Sequence, residues 1–286
     1  MYANTSRSES VQAIEVHGRA EIGFAHRDGA TRLAHLYQHD PVRVLFPNTP
    51  PDESLEATVI TTSGGLVGGD EISLEIMAEP NTSVLVSAQA AEKIYRSTGA
   101  ETKTSLTLTA QEDTWLEWLP QETILFDGAR LRRRITVNAA PGARVLAGEI
   151  LVLGRLGSGE RFSSGLLRDA WEVWLLDRPI WADALCLDND IPGVLNHPAC
   201  FDGAAALATA IYVCRDPAAH LDTARDMIAV EGDKLLSSVT LVNGVLVMRW
   251  LGQDAYCLRR AFADFWQAFR HHAGEHPAKL PRLWHI

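Results

Sequence analysis

Lysine is nearly missing from this chain: four lysines stand against 22 arginines, and 36 acidic residues outweigh both, for a net charge of −10. Binding a polyanion depends on cations that release counterions, so nucleic acid is not an expected partner. The one dense basic cluster, Arg130 to Arg134 (RLRRR), is too short to reverse that balance. Long apolar runs are missing as well. The longest, Ala204 to Cys214, falls well short of the ~20 residues a membrane helix needs, so no membrane association is expected. The first residues, Met1 to Gly18, are polar and charged without an apolar centre. That disfavours a secretory signal and makes the cytoplasm the expected compartment. The four cysteines, Cys186, Cys200, Cys214 and Cys257, make no C-x-x-C pair and no disulfide framework. They are expected to be reduced and mostly buried.

Signatures of metal and nucleophile chemistry are missing too. No H-E-x-x-H occurs, and no cysteine lies near a histidine pair. His35 and His39 are spaced like helical neighbours but precede a proline and a strand-like run, while His272 and His276 straddle Gly274. Neither pair is firmly on one helical face, so both are read as surface histidines.

What is present is an ordinary globular balance, 47% hydrophobic and 22% charged, which argues against disorder. A chain of this length buries enough surface for a substantial core. No repeat or low-complexity linker divides it, so residues 1–286 are read as one domain. Glu71 to Met77 alternates with period two, Ile72, Leu74 and Ile76 against Glu71, Ser73 and Glu75. Similar β character recurs in Lys103 to Ala110, Arg133 to Ala139, Ala143 to Arg155 and Leu167 to Asp177. Asp127-Gly128, Pro141-Gly142, Gly157-Ser158-Gly159 and Asn243-Gly244 punctuate these runs as hairpin signals. Helical patterns come late. Pro217 to Ala229 follows Asp216 as a cap, and Asp254 to His272 aligns Leu258, Ala261, Phe262, Phe265, Trp266 and Phe269 in one stripe. The residues therefore predict a mainly β, mostly antiparallel body with about two α-helices in the C-terminal third.

The stretch TTSGGLVGGDEISLEI, Thr61 to Ile76, poses the sharpest question of function. Its spacing Gly64 to Gly69 fits a phosphate-binding loop, but Asp70 and Glu71 occupy the positions that need Lys and Ser or Thr. A phosphate would meet like charge there. An alternating strand follows where a helix N-terminus is required. A nucleophile elbow around Ser63 fails because Thr61 stands where glycine is needed. The reading that remains is a glycine-shaped turn between two strands, ending at Asp70.

Carboxylates carry the remaining chemistry. Glu149 sits in the apolar run VLAGEILVLG, where an ionised group needs a partner; Arg155 and Glu160 flank the next hairpin and are candidates to supply or share that site. Asp70 and Asp127 lie in turns, where each is individually best read as a cap. Taken as a set, Asp70, Asp127, Glu149 and Glu160 are hard oxygen ligands without thiolates, suited to loose passage of a divalent ion. Glu149 and Glu160 would alternatively divide acid and base roles in a hydrolase, but no nucleophile or metal motif accompanies them.

Five segments, TSGGLVGGD (Thr62 to Asp70), QAAEKIYRS (Gln89 to Ser97), WLPQETILFDGARL (Trp118 to Leu131), GEILVLGRLGSGE (Gly148 to Glu160) and LPRLWHI (Leu280 to Ile286), together resemble the urease accessory protein D family, UreD or UreH. They recur in the family's order along nearly the whole chain. The resemblance implies an elongated β-helical body with few helices and no enzymatic activity. It implies binding to the urease apoprotein and to UreF, recruitment of the GTPase UreG through UreF, and a dimer within the accessory complex. It further implies delivery of Ni²⁺ to urease through a water-filled passage, with no tightly bound cofactor. Two other roles stay open on the residues: the hydrolase, and an adaptor that never touches metal.

Overall fold

The computed structural model describes residues 16–50, 53–228 and 235–285. Residues 1–15, Ala229 of the first expected helix and the closing Ile286 lie outside the described residues. Strands β1 (His17–Arg27) and β2 (Ala30–His39) form an antiparallel hairpin, followed by the antiparallel pair β3 (Val42–Leu45) and β4 (Leu55–Thr61). The chain then winds. Strand β5 (Glu71–Ala78) joins the sheet of β1, β6 (Ser83–Ala88) joins that of β4, and the short β7 (Glu92–Ile94) makes a third side. A second coil repeats this circuit with β8 (Thr102–Ala110), β9 (Trp115–Leu119) and β10 (Thr123–Leu125), and a third begins with β11 (Arg130–Ala139) and β12 (Arg144–Leu153). Strands β13 (Leu166–Leu175) and β14 (Arg178–Leu187) end the first sheet as an antiparallel pair. After α1 (Ile191–Asn196) come β15 (Ala206–Val213), α2 (Leu221–Ile228), β16 (Leu235–Val242), β17 (Val245–Gly252) and α3 (Ala255–Gly274).

The result is a mainly β, solenoid-like body of stacked coils with three α-helices among the described residues. A seven-stranded sheet, β14-β13-β11-β8-β5-β1-β2, faces a sheet ordered β16-β17-β15-β12-β9-β6-β4-β3. The expectation of mostly antiparallel pairing needs correction. The ladders joining β1, β5, β8, β11 and β13, and those joining β4, β6, β9 and β12, are all parallel; antiparallel pairs cap the two ends. The physical reason lies in the turns. Asp127-Gly128 and Pro141-Gly142 take the chain round a corner from one side of the coil to the next, so a strand's partner is one coil away. Of the four turn signals named above, the Asn243-Gly244 pair, with φ of 47° and 84°, is the one that closes a hairpin, between β16 and β17.

Inward residues alternate as the sequence predicts: Ile72 and Ile76, Leu106 and Leu108, Leu131, Ile135 and Val137 pack against Val84, Val86, Leu116, Val145 and Leu151 of the other sheet. The second sheet is covered on its outer side by α3, so β12 is buried on both faces and reads as a continuous apolar run. Leu258, Phe262, Phe265, Trp266 and Phe269 of α3 are fully buried against Trp250, Tyr212 and Leu146, which makes the aromatic stripe core rather than a partner surface. Each such side chain contributes about 1.5–3 kcal/mol of burial. Asp254 caps α3 by accepting from the Cys257 amide at 2.8 Å, whereas the Asp216 side chain makes no capping bond.

A buried ion pair fastens the helix. Arg270 donates through Nε and Nη2 to Glu117 of β9, and Trp115 and Trp266 each donate an indole N–H to the same carboxylate at 2.8 Å. Arg270 also reaches the Pro277 carbonyl, holding the segment after α3. The cysteine expectation is corrected here. Cys186, Cys200 and Cys257 are exposed and Cys214 half-buried, all free, because they fall at outward strand, loop and helix positions that the composition does not reveal.

Close approach of α3 depends on Gly148, where a Cβ would stand 2.8 Å from Phe262 and 2.9 Å from Trp266. Gly148→Ala is therefore expected to cost about 1–3 kcal/mol by overpacking. A urea titration reads this as a lowered midpoint with unchanged slope; an unaltered midpoint would contradict the packing account.

Candidate functional site

Inward positions of three strands bring charge into the core between the sheets. On β11, Arg133 has the same parity as Leu131, Ile135 and Val137; on β13, Asp169 has that of Leu167, Trp171 and Val173. Parallel register sets Arg133 directly beside Asp169, and Glu149 of β12 arrives from the facing sheet. Arg133 Nε donates to Asp169 Oδ1 at 2.7 Å and Nη2 to Oδ2 at 3.0 Å. Its Nη2 also meets Glu149 Oε2 as an ion pair, and Nη1 donates to Thr123 Oγ1 at 3.2 Å. Trp171 Nε1 donates to Glu149 Oε1 at 2.9 Å. The Glu149 and Asp169 side chains are each 4% exposed and Arg133 12%, so one cation compensates two carboxylates away from bulk water.

The imbalance decides the protonation states. Burial pushes the Glu149 pKa well above the usual carboxylate range; Arg133 opposes this and the negative charge of Asp169 reinforces it. Burial acts on Asp169 in the same sense, but the charge and hydrogen bonds of Arg133 hold its pKa below the ordinary value. Of the two acids, the surroundings thus favour the ionised form at Asp169 and the protonated form at Glu149.

Glu149 also stands between two cavities. One, of about 240 Å³, is lined by Ser63, Gly64, Glu92, Thr123, Arg133 and Glu149. The other, of about 380 Å³, is lined by Glu149, Asp169, Trp171, Thr209 and Arg249 among others. Burial raises the pKa of Glu92 as well, against a hydrogen bond from Thr61, with Asp70 adding to the rise. Carboxyls whose pKa is raised by burial therefore line this first cavity at two places.

The other predicted carboxylates sit elsewhere. Asp70 is buried, with Oδ1 accepting from the Val16 amide at 3.1 Å and Oδ2 from the Val67 amide at 2.9 Å. It closes the glycine turn instead of presenting a free carboxylate. That turn needs its glycines, since Gly65 and Gly69 have φ of 141° and 102° and a Cβ at Gly68 would stand 2.2 Å from Ser97 Oγ. Asp127 Oδ1 accepts from the amides and hydroxyls of Ser163 and Ser164, and these bonds lower its pKa against the effect of burial. Glu160 accepts from the Asp127 amide at 3.0 Å and pairs with Arg155 at 2.8 Å. So Arg155 serves Glu160, and the cation for Glu149 is Arg133. Glu149 and Glu160 share no partner. Among the described residues, no cluster of three or more His, Cys, Asp or Glu is placed to hold a metal ion.

Sequence reading missed Arg133, Asp169 and Glu92 as site residues. The signal was parity: a charge on the inward side of an alternating strand. In RLRRR that one inward arginine is hidden among outward ones.

These features define a β-solenoid body with a charged interior. A family model described as UreD urease accessory protein matches residues 16–285. Similar proteins include a "Urease accessory protein UreD" of Magnetococcus marinus, 44% identical over 99% of both chains. A "Urease accessory protein UreD 1" of Brucella ovis is 37% identical over 99% of both. A "Urease accessory protein UreD 3" of Bradyrhizobium sp. is 38% identical over 98% of this chain and 97% of the relative. The chain belongs to the UreD family of urease accessory proteins, and its role lies in urease maturation. No helix among the described residues is long and apolar enough to cross a membrane.

Two outcomes test the charge assignment. Arg133→Met strands two buried carboxylates and is expected to cost about 3–5 kcal/mol of stability. Because the folded-state pKa of Glu149 is raised, its stabilising contribution is complete below the ordinary carboxylate range and is lost as pH rises through the raised value. Glu149→Gln preserves the neutral form, so its stability relative to wild type should climb as pH rises above the ordinary carboxylate range. Denaturant midpoints across that range measure it; a flat difference would contradict the raised pKa.

Proposed function

We propose that this chain is the scaffold of a urease-maturation complex, binding apo-urease and UreF and conducting Ni²⁺ toward the urease active site. Nickel would reach it from UreG through UreF, in a complex that contains the chain as a dimer. The observation that carries this reading is the position of Glu149, a carboxyl shared by two cavities inside the body. Membership in a family of urease accessory proteins supports the rest of the reading.

Moving a divalent ion through a protein interior requires fixed negative charge and retained water, since burying an uncompensated ion costs several kcal/mol. With its proton on, Glu149 leaves the cluster neutral, Arg133 balancing Asp169. An arriving cation displaces that proton and meets a carboxylate, and Arg133 keeps the total attraction low enough for the ion to leave. Hard, partly neutralised oxygen donors favour transit over storage. Glu92 offers a second carboxyl in the first cavity, and Asp70, Asp127 and Glu160 serve the route by holding the turns around it.

The decisive experiment co-expresses urease and its accessory proteins with the Glu149→Gln chain. The expected outcome is urease of at least about tenfold lower nickel content, with the variant still co-purifying with UreF and apo-urease. Normal nickel content in the Gln variant would remove Glu149 from the route and leave an adaptor that never touches metal.

A further inference from the structure

The histidine pair suggested by spacing, His272 with His276, is not the pair that forms. His276 is half-buried against Trp115, with ring centroids 4.8 Å apart, and bonds to Ser54. His272 in the last turn of α3 instead meets His220, which ends the 3₁₀ turn Pro217–His220 ahead of α2. His220 Nδ1 and His272 Nε2 are 3.1 Å apart, with ring planes at 81°. His220 is held edge-on to Tyr212 at 5.4 Å, so one of the two imidazoles is positioned by the core while the other is exposed.

We propose that His220 and His272 form a surface site for a divalent transition-metal ion that prefers right-angle coordination, Cu²⁺ or Ni²⁺. Two nitrogens bound at about 2.1 Å stand about 3.0 Å apart at a right angle and about 3.4 Å apart at the tetrahedral angle. The observed separation fits the first. The carboxylate of Asp216 acts on His220 with negative charge, and the C-terminal end of α3 adds the negative pole of its dipole. In the metal-free pair one ring N–H donates to the other ring. Binding moves that proton to the same ring's outer nitrogen, so both facing lone pairs reach the ion and no net proton is released. Water completes the coordination. The site lies apart from the Glu149 cavities and does not rest on nickel passage through them.

The test uses the full chain without an affinity tag, titrated with Cu²⁺ and followed by electron paramagnetic resonance, with Ni²⁺ calorimetry in parallel. The wild type is expected to take up one tight equivalent whose hyperfine pattern shows two nitrogens. His272→Ala, which removes an exposed ring, and His220→Ala should each lose at least about tenfold in affinity and one nitrogen coupling, because the second ligand no longer acts intramolecularly. His35→Ala, on β2, should change neither. A wild type without a tight equivalent, or a His272→Ala chain with unchanged nitrogen count and affinity, overturns the proposal.

Discussion

A single guanidinium between two carboxylates is the interaction on which the interior of this protein turns. Arg133 and Asp169 are register partners on adjacent parallel strands, and Glu149 faces them from the opposite sheet. Any shift of one residue in the β11–β13 register would exchange inward for outward residues and dissolve the cluster. The sheets are therefore tied by charge as well as by apolar packing. Because two acids share one base, the tie favours a proton on Glu149.

The Glu117–Arg270 pair shows what a purely structural solution looks like in the same chain. There, one acid meets one base, two indoles and Arg270 fill the carboxylate, and the guanidinium reaches on to the Pro277 carbonyl. It joins β9 to α3 in a closed aromatic layer. The Arg133 cluster differs in stoichiometry and in adjoining open space on both sides of Glu149. Buried charge that is fully paired holds a fold together, while buried charge left one cation short beside a cavity is available to a ligand. That contrast, within a family whose role is urease maturation, is why the proposed nickel route runs past Glu149.

Much of the architecture was legible in the residues because alternation marks inward positions whichever way strands pair. The β character came from that period, the late helices from a helical stripe, and the burial of Glu149 from the apolar run around it. Parallel pairing was not legible, since a corner such as Pro141-Gly142 carries the same local chemistry as a hairpin turn. The coils also repeat in space without repeating in sequence: the inward positions need only be apolar. At the site, Glu149 stood out against an apolar run. Its partners did not, as Asp169 lies beyond the hairpin and Arg133 sits within a basic cluster that reads as solvated. Asp70, Asp127 and Glu160 are carboxylates whose oxygens the structure commits to amides, hydroxyls and Arg155. The contact of His220 with His272 joins separate elements, which no local spacing can show.

Everything assigned to the interior depends on Glu149 carrying a proton at neutral pH while Asp169 does not. Infrared difference spectroscopy of the carboxyl stretch, comparing wild type with Glu149→Gln during a pH titration, reads this directly. The account predicts a protonated-carboxyl band at neutral pH that the Gln variant lacks and that fades only under alkaline conditions. A wild-type spectrum in which Glu149 already absorbs as a carboxylate at neutral pH would contradict it.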